Sequence, residues 1–259
     1  MAYLADRVGR VRDIQRQHDA WKRLCPHFGA LRPDQVSRDA CREYTAARTK
    51  AGVTAGTIAR ELSTLAAGLH WGGHAPVIEK PSSGKVDPRH LTRAEFARLW
   101  AVSMPPHLRV YLAVAITTGA RSQAILELTW LQVDLERRQI DLGTGWGNKK
   151  RAITPISDSA LPVLVEAKAR ARTPYVVEYA DRPVGSIRTG LDGALRRAGL
   201  PMGGPRMLRH TAAVWMAQAG VPMAEIAEHL GHTNTALTAR HYARFGPDHL
   251  QRGAKALNW

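Results

Sequence analysis

Apolar residues in the first 80 positions recur at three- and four-residue steps, the period of an amphipathic helix. The clearest run is 54–70, where Ile58, Leu62, Leu65 and Leu69 form one stripe. Thr54 is suited to cap its start, and the Gly72-Gly73 pair to close it. Ser37 opens a second helix through Tyr44 in the same way. Residues 1–80 are therefore predicted to be all helix. Positions 75–90 (APVIEKPSSGKVDPRH) lose the period and are dense in Pro, Ser, Gly and charge, which predicts a linker with its centre at 81–90.

Beyond it, Thr92 with Glu95 three residues later forms a capping box that starts a helix over 92–101. Further helices are expected at 107–118 and from Ser122 to about Leu128. The period then changes. Residues 138–142 (RQIDL) and 150–156 (KRAITPI) resemble short strands, and the glycines of the intervening GTGWGN suit a hairpin turn. Another short strand is expected at 175–179 (YVVEY). Helical patterning returns at 186–198, 206–218, 222–230 and 235–243, with Gly220 and Gly231 as C-terminal caps. The pattern thus predicts a mainly α chain with a small antiparallel β-sheet in two domains, 1–80 and 91–259, joined by 81–90.

At 259 residues the chain is long enough to bury a core without disulfides or structural metal. Charge changes the picture more. Lys plus Arg number 37 against 22 for Asp plus Glu, a net +15 that attracts polyanions. Nucleic acid is the first candidate and an anionic membrane surface the second. Arg38, Arg42, Arg48, Lys50 and Arg60 lie on or between the first-domain helices, either as a layer for DNA backbone contacts or as solvated helix faces. No run of about 18 apolar residues exists to span a membrane. The opening MAYLADRVGRVRDIQ has no apolar stretch of the kind a secretory signal needs. Cys25 and Cys41 match no metal-ligand spacing and suit a reducing cytosol. His229 and His232 have no accompanying Cys or acidic set, so no metal site is expected.

Four segments of the second domain carry candidate chemistry: TGARSQAILELTW around Arg121, NKKRAITP around Lys149, RMLRH with Arg206 and Arg209, and LGHTNTALTARHYAR with His232 and Tyr242 ten residues apart. Each alone is weak, but their order and spacing are specific. Over residues 91–250 the chain resembles the tyrosine recombinases, or phage integrases, and the helical first domain resembles that family's core-binding domain. The resemblance implies the DNA breaking-rejoining enzyme fold, closed as a C-shaped clamp around double-stranded DNA. It implies Tyr242 as the nucleophile that forms a 3′-phosphotyrosyl link, and Arg121 and Arg209 as a clamp on the two non-bridging phosphate oxygens. Lys149, or Lys150 one residue along the hairpin, would protonate the leaving 5′-oxygen, and His232 would hydrogen-bond the reacting oxygens. The chemistry is sound for these residue types. Arginine is permanently charged and binds phosphate bidentately, and a covalent link that conserves the phosphodiester energy needs no ATP for religation. No cofactor or metal is implied.

By the same resemblance the protein acts as a homotetramer on two DNA sites, cytoplasmic and nucleoid-associated, with accessory DNA-bending proteins as compatible partners. No counterpart of the family's further N-terminal arm-binding domain is expected in this sequence, either because the protein works on simple sites or because that domain has been lost. The tail 245–259, with Leu250, Leu257 and Trp259, could dock on a neighbouring subunit or pack in cis.

Two positions depart from the family pattern. Arg206 stands where the H-x-L-R box begins with His, and an arginine does not deprotonate to act as a base. Ala124 stands where an acidic residue often braces the first arginine. A cleavage-impaired DNA-binding relative is therefore the alternative. A helix-turn-helix regulator built on 206–218 and 222–230 explains the charge but not the Arg–Lys–Arg–His–Tyr order.

Overall fold

The computed structural model describes residues 2–11, 13–82, 84, 88–144 and 152–247. The chain divides into two compact units, Met1–Val86 and Asp87–Trp259.

The first unit is built from α1 (Ala2–Arg7), α2 (Ile14–Phe28), α3 (Arg38–Lys50) and α4 (Ala55–Trp71). Ser37 caps α3 by accepting from the Ala40 N–H at 3.2 Å. Gly73 ends α4 with positive φ, its N–H donating to His70 O while that of His74 reaches Leu69 O. The predicted stripe faces inward: Ile58, Leu62 and Leu65 pack with Leu24, Phe28, Val36, Cys41 and Tyr44. Residues 74–80 are not helical, against the expectation of helix to about 80. Ile78 nevertheless packs on this core and Glu79 binds Arg42 at 3.0 Å. The Pro- and Gly-rich composition stopped the helix there without detaching the chain.

The second unit begins with α5 (Arg93–Ala101), opened by the reciprocal Thr92–Glu95 capping box. Then come α6 (Pro106–Thr118) and the short α7 (Ser122–Leu126). β1 (Val133–Asp134), β2 (Gln139–Asp141) and β3 (Ile153–Pro155) form an antiparallel sheet in order β1-β2-β3, with Ile140 opposite Val133 and Thr154. The GTGWGN turn, Lys149 and Lys150 lie outside the described residues, apart from Gly143 and Thr144 at its start.

α8 (Leu161–Arg170) is an element the sequence pattern did not predict. Its apolar run Leu161–Val165 has no helical period and contains a proline, but Pro162 sits in the first turn, where its missing N–H costs nothing. The strand expected at 175–179 is shorter. β4 (Glu178–Tyr179) pairs with β5 (Arg182–Pro183) around Ala180 and Asp181, both at positive φ as a tight two-residue hairpin turn requires. Val176 instead donates to Leu128 O and joins the core.

α9 (Arg188–Arg197), α10 (Arg206–Gln218), α11 (Met223–His229) and α12 (Thr235–Tyr242) follow. The core gathers on α6, whose Leu108, Leu112 and Val114 are fully buried, and on the Met207 and Leu208 end of α10. Two long-range bonds seat α10: Leu91 N–H donates to Thr211 Oγ1 at 2.9 Å, and the Trp215 indole donates to Leu91 O at 2.9 Å.

Candidate active site

The three segments that carry Arg121, Arg209 and His232 each end or begin a helix, and the local backbone explains why. Gly119 closes α6 in the left-handed conformation at φ 57. The chain reverses there and delivers Arg121 to the N-cap of α7, exposed. At the end of α11, Gly231 again adopts positive φ. Its N–H donates to Glu228 O and that of His232 to Ala227 O, each at 2.8 Å, a complete Schellman cap. The L-G-H box is therefore a helix terminator that places a histidine immediately past the turn.

Arg209 ties these turns together. The residue is 8% exposed, and its guanidinium donates to Gly119 O at 2.8 Å and to Leu230 O at 2.9 Å. A Cβ at Gly119 would lie 2.5 Å from Leu230 Cδ2, so the turn approaches this closely only as glycine. His229 adds a further link, Nε2 to Thr117 O at 2.9 Å. Among the described residues no carboxylate lies within salt-bridge distance of Arg209. Burial pushes its pKa down to about 10, and the like charges of Arg121 and Arg206 add to the shift.

α12 supplies the tyrosine. Thr238 and Tyr242 are one helical turn apart, so both point to the same side. Thr238 Oγ1 meets His232 Nδ1 at 2.7 Å, and the Tyr242 hydroxyl meets His210 Nδ1 at 2.6 Å. Tyr242 is 4% exposed. Burial raises its pKa, outweighing the opposite pull of Arg209 and Arg206. Burial lowers His210 to about 4, with Arg206, Arg209, His241 and His232 adding to the shift. His232 falls to about 4 for the same reason, with Arg209, Arg121 and His241 contributing. At neutral pH both imidazoles are uncharged. What remains is a cationic cluster of arginines around a protonated phenol.

Of the residues singled out in sequence, Arg121, Arg206, Arg209, His232 and Tyr242 share this cluster; Lys149 lies outside the described residues. The first turn of α10, which Gly204-Pro205 opens, leaves few N–H groups for an anion. Pro205 is the N-cap rather than the first helical residue, and the Met207 and Leu208 N–H groups already donate to Gly204 O and Pro205 O. Ala124 is buried in α7 and offers no polar atom to Arg121.

Sequence reasoning missed His210, the last residue of the RMLRH segment. Its spacing of four from Arg206 was the available signal, because it puts both on one face of α10. Among the described residues no group of three or more His, Cys, Asp or Glu is placed to hold a metal ion, and no helix is long and apolar enough to cross a membrane.

The profile of the phage integrase family matches residues 89–248, well over half of the chain. The chain therefore belongs to the phage integrase family of tyrosine site-specific recombinases. Among curated relatives, the integrase of Salmonella phage P22 is 29% identical over 198 residues, covering 71% of this chain and 51% of that protein. A XerC-like tyrosine recombinase of Caldanaerobacter subterraneus subsp. tengcongensis is 26% identical over 191 residues, covering 58% and 49%. The chain spans about half the length of these two relatives.

The fold is that of solved recombinases. The Tn1549 transposon integrase in complex with transposon right end DNA superposes with a TM-score of 0.80 at 15% identity, covering 98% of both chains. A lambda integrase tetramer bound to a Holliday junction gives 0.75 at 16% identity, covering 95% of this chain and 78% of that one.

Proposed function

We propose that the protein is a site-specific DNA recombinase that cuts and rejoins strands of duplex DNA through a covalent link to Tyr242. The observation that carries this reading is the buried phenol in a cluster of arginines in which Arg209 has no carboxylate partner among the described residues. A phosphodiester supplies the missing negative charge. Arg121 and Arg209 bind its non-bridging oxygens and stabilise the charge that builds as Tyr242 Oη attacks phosphorus. His232, neutral and held by Thr238, donates from its other ring nitrogen to a phosphate oxygen. Arg206 adds a third guanidinium in place of a histidine. A lysine of the β2–β3 hairpin, Lys149 or Lys150, protonates the departing 5′-oxygen. The bond energy is kept in the 3′-phosphotyrosine, and attack by a 5′-hydroxyl rejoins the strand without ATP.

Residues 1–80 act as the core-binding domain, 81–90 as the linker and 91–259 as the catalytic domain. Assembly as a tetramer on two DNA sites is supported by the similarity in fold to lambda integrase, solved as a tetramer on a Holliday junction. The test is covalent trapping. Duplex DNA nicked beside the scissile phosphate, so that cleavage cannot reverse, should give a denaturant-resistant protein–DNA band with the wild type and none with Tyr242→Phe. Binding of that DNA without a band in either protein would favour the cleavage-impaired reading that Arg206 motivates. In that case Arg206→His should restore the band.

A further inference from the structure

We propose that His210 is the proton acceptor for the Tyr242 nucleophile, taking the phenolic proton on Nδ1 as Oη attacks the DNA phosphorus and returning it when the strand is rejoined. This rests on the reading of Tyr242 as the attacking group, and it assigns a step that the arginines cannot perform. Arg121, Arg206 and Arg209 are permanent cations and accept no proton. Arg206 occupies the place where a histidine would stand in the family pattern. His232 has its Nδ1 engaged with Thr238. His241 neighbours Tyr242 at 6.1 Å between ring centroids, beyond a hydrogen bond. Among the described residues, His210 is the side chain in hydrogen-bond contact with the phenol, at 2.6 Å.

The protonation states fit. A buried phenol keeps its proton at neutral pH, and in the tautomer with the imidazole proton on Nε2 it donates to Nδ1 of His210, the arrangement from which the transfer runs. The groups that face His210 are Arg206 and Arg209 from its own helix, His241 and Tyr242 from α12, and His232 beyond α11. The four besides Tyr242 disfavour its cationic form, which keeps it available as a base and makes the imidazolium short-lived. An incoming phosphate offsets that repulsion, so proton uptake becomes favourable once DNA is bound.

The step balances. The Oη–H proton moves to Nδ1 as the Oη–P bond forms. The P–O5′ bond breaks, and the 5′-oxygen takes a proton from the hairpin lysine. In the return, a 5′-hydroxyl gives its proton back to that lysine and attacks phosphorus, Oη leaves, and Nδ1 reprotonates it.

The experiment compares single-turnover adduct formation by the wild type and His210→Asn across pH. The probe is a nicked duplex carrying the sequence that the protein itself selects from random DNA. Asparagine keeps an acceptor near the position of Nδ1 but cannot carry the proton. The wild-type rate should be flat from about pH 6 to about pH 9, because the base is already neutral. The variant should be slower by at least about 10²-fold at neutral pH and should climb about tenfold per pH unit as bulk base takes over. A more acidic fluorotyrosine at position 242 should speed the variant far more than the wild type. A variant slower by one constant factor at all pH values, with no gain from fluorotyrosine, would reduce His210 to packing and overturn the proposal, as would an unchanged rate. If the wild type itself gives no adduct on its selected sequence, the reading of Tyr242 fails, and this assignment with it.

Discussion

Each unit turns an arginine inward, Arg48 half-buried in the first and Arg209 buried in the second, and the two are treated oppositely. In the first unit Arg48 donates to both oxygens of Glu61, at 3.1 and 2.7 Å, and the Tyr44 hydroxyl adds a bond to the same carboxylate at 2.7 Å. Burial would raise Glu61, but those bonds outweigh it and hold the carboxyl below its ordinary range. They hold Arg48 above its own. In the second unit Arg209 is more deeply buried, bonded only to carbonyls among the described residues, and surrounded by Arg121 and Arg206. A buried cation that brings its own anion is part of the structure. One that faces further cations makes the folded state carry a cost that only an external anion relieves. Of the first-unit cations that the sequence offers either as a layer for DNA backbone contacts or as solvated helix faces, Arg48 pairs with Glu61 and Arg42 with Glu79 and Asp39, while Arg38, Lys50 and Arg60 stay exposed.

The sharpest way to break this contrast is to make the same substitution at both sites. Arg209→Met should lower the rate of adduct formation by about 10²- to 10³-fold, the usual effect of removing one donor to a developing oxyanion. Arg48→Met should leave cleavage by the bound complex unchanged. It should instead destabilise the first unit by about 3 kcal/mol, because Glu61 is left buried without its partner. Calorimetry of the first unit's transition and single-turnover cleavage read the two effects, and a swap of the outcomes would end the distinction.

A smaller pair of changes separates backbone strain from site geometry. Gly119 and Gly52 both sit at positive φ, but a Cβ at Gly52 meets nothing within 4 Å, whereas one at Gly119 strikes Leu230. Gly52→Ala should cost about 1 kcal/mol and leave cleavage intact. Gly119→Ala should cost more and also slow cleavage, since Leu230 carries an acceptor of Arg209. Equal costs would show that the close approach does not matter.

Acid should separate the two units as well. His210 and His232 have folded pKa values depressed to about 4 from an ordinary 6.5. The unfolded chain binds those protons first, so their contribution to stability is present above about pH 6.5 and is lost as pH falls toward 4. Glu61, also depressed, contributes above its ordinary 4.5 and loses that contribution only below it. Between pH 6.5 and 4.5 the second unit's melting transition should fall ahead of the first's, and the reverse order would contradict the burial of the two histidines.

How much of this was legible depended on distance along the chain. The Thr92–Glu95 box, the Ser37 cap and the glycines at 73, 220 and 231 act over three to six residues, and each falls where the sequence pattern put it. α8 escaped because a proline in an apolar run looks like a breaker until its position in the first turn is known. His232 and Tyr242 were legible only through the resemblance of LGHTNTALTARHYAR to the family's motif; the structure adds that Gly231 ends a helix just before His232 and that Thr238 and Tyr242 are one helical turn apart.

The sequence by itself determined most of the helices, several of their caps, the excess of positive charge and the order of the motif residues, since each depends on neighbours within a turn or two, or on composition. Only the tertiary structure decided which arginine would be neutralised and what the phenol would touch. Arg209 finds Gly119 across 90 residues and Tyr242 finds His210 across 32, and pairings of that length are chosen by how helices pack, which no local period encodes.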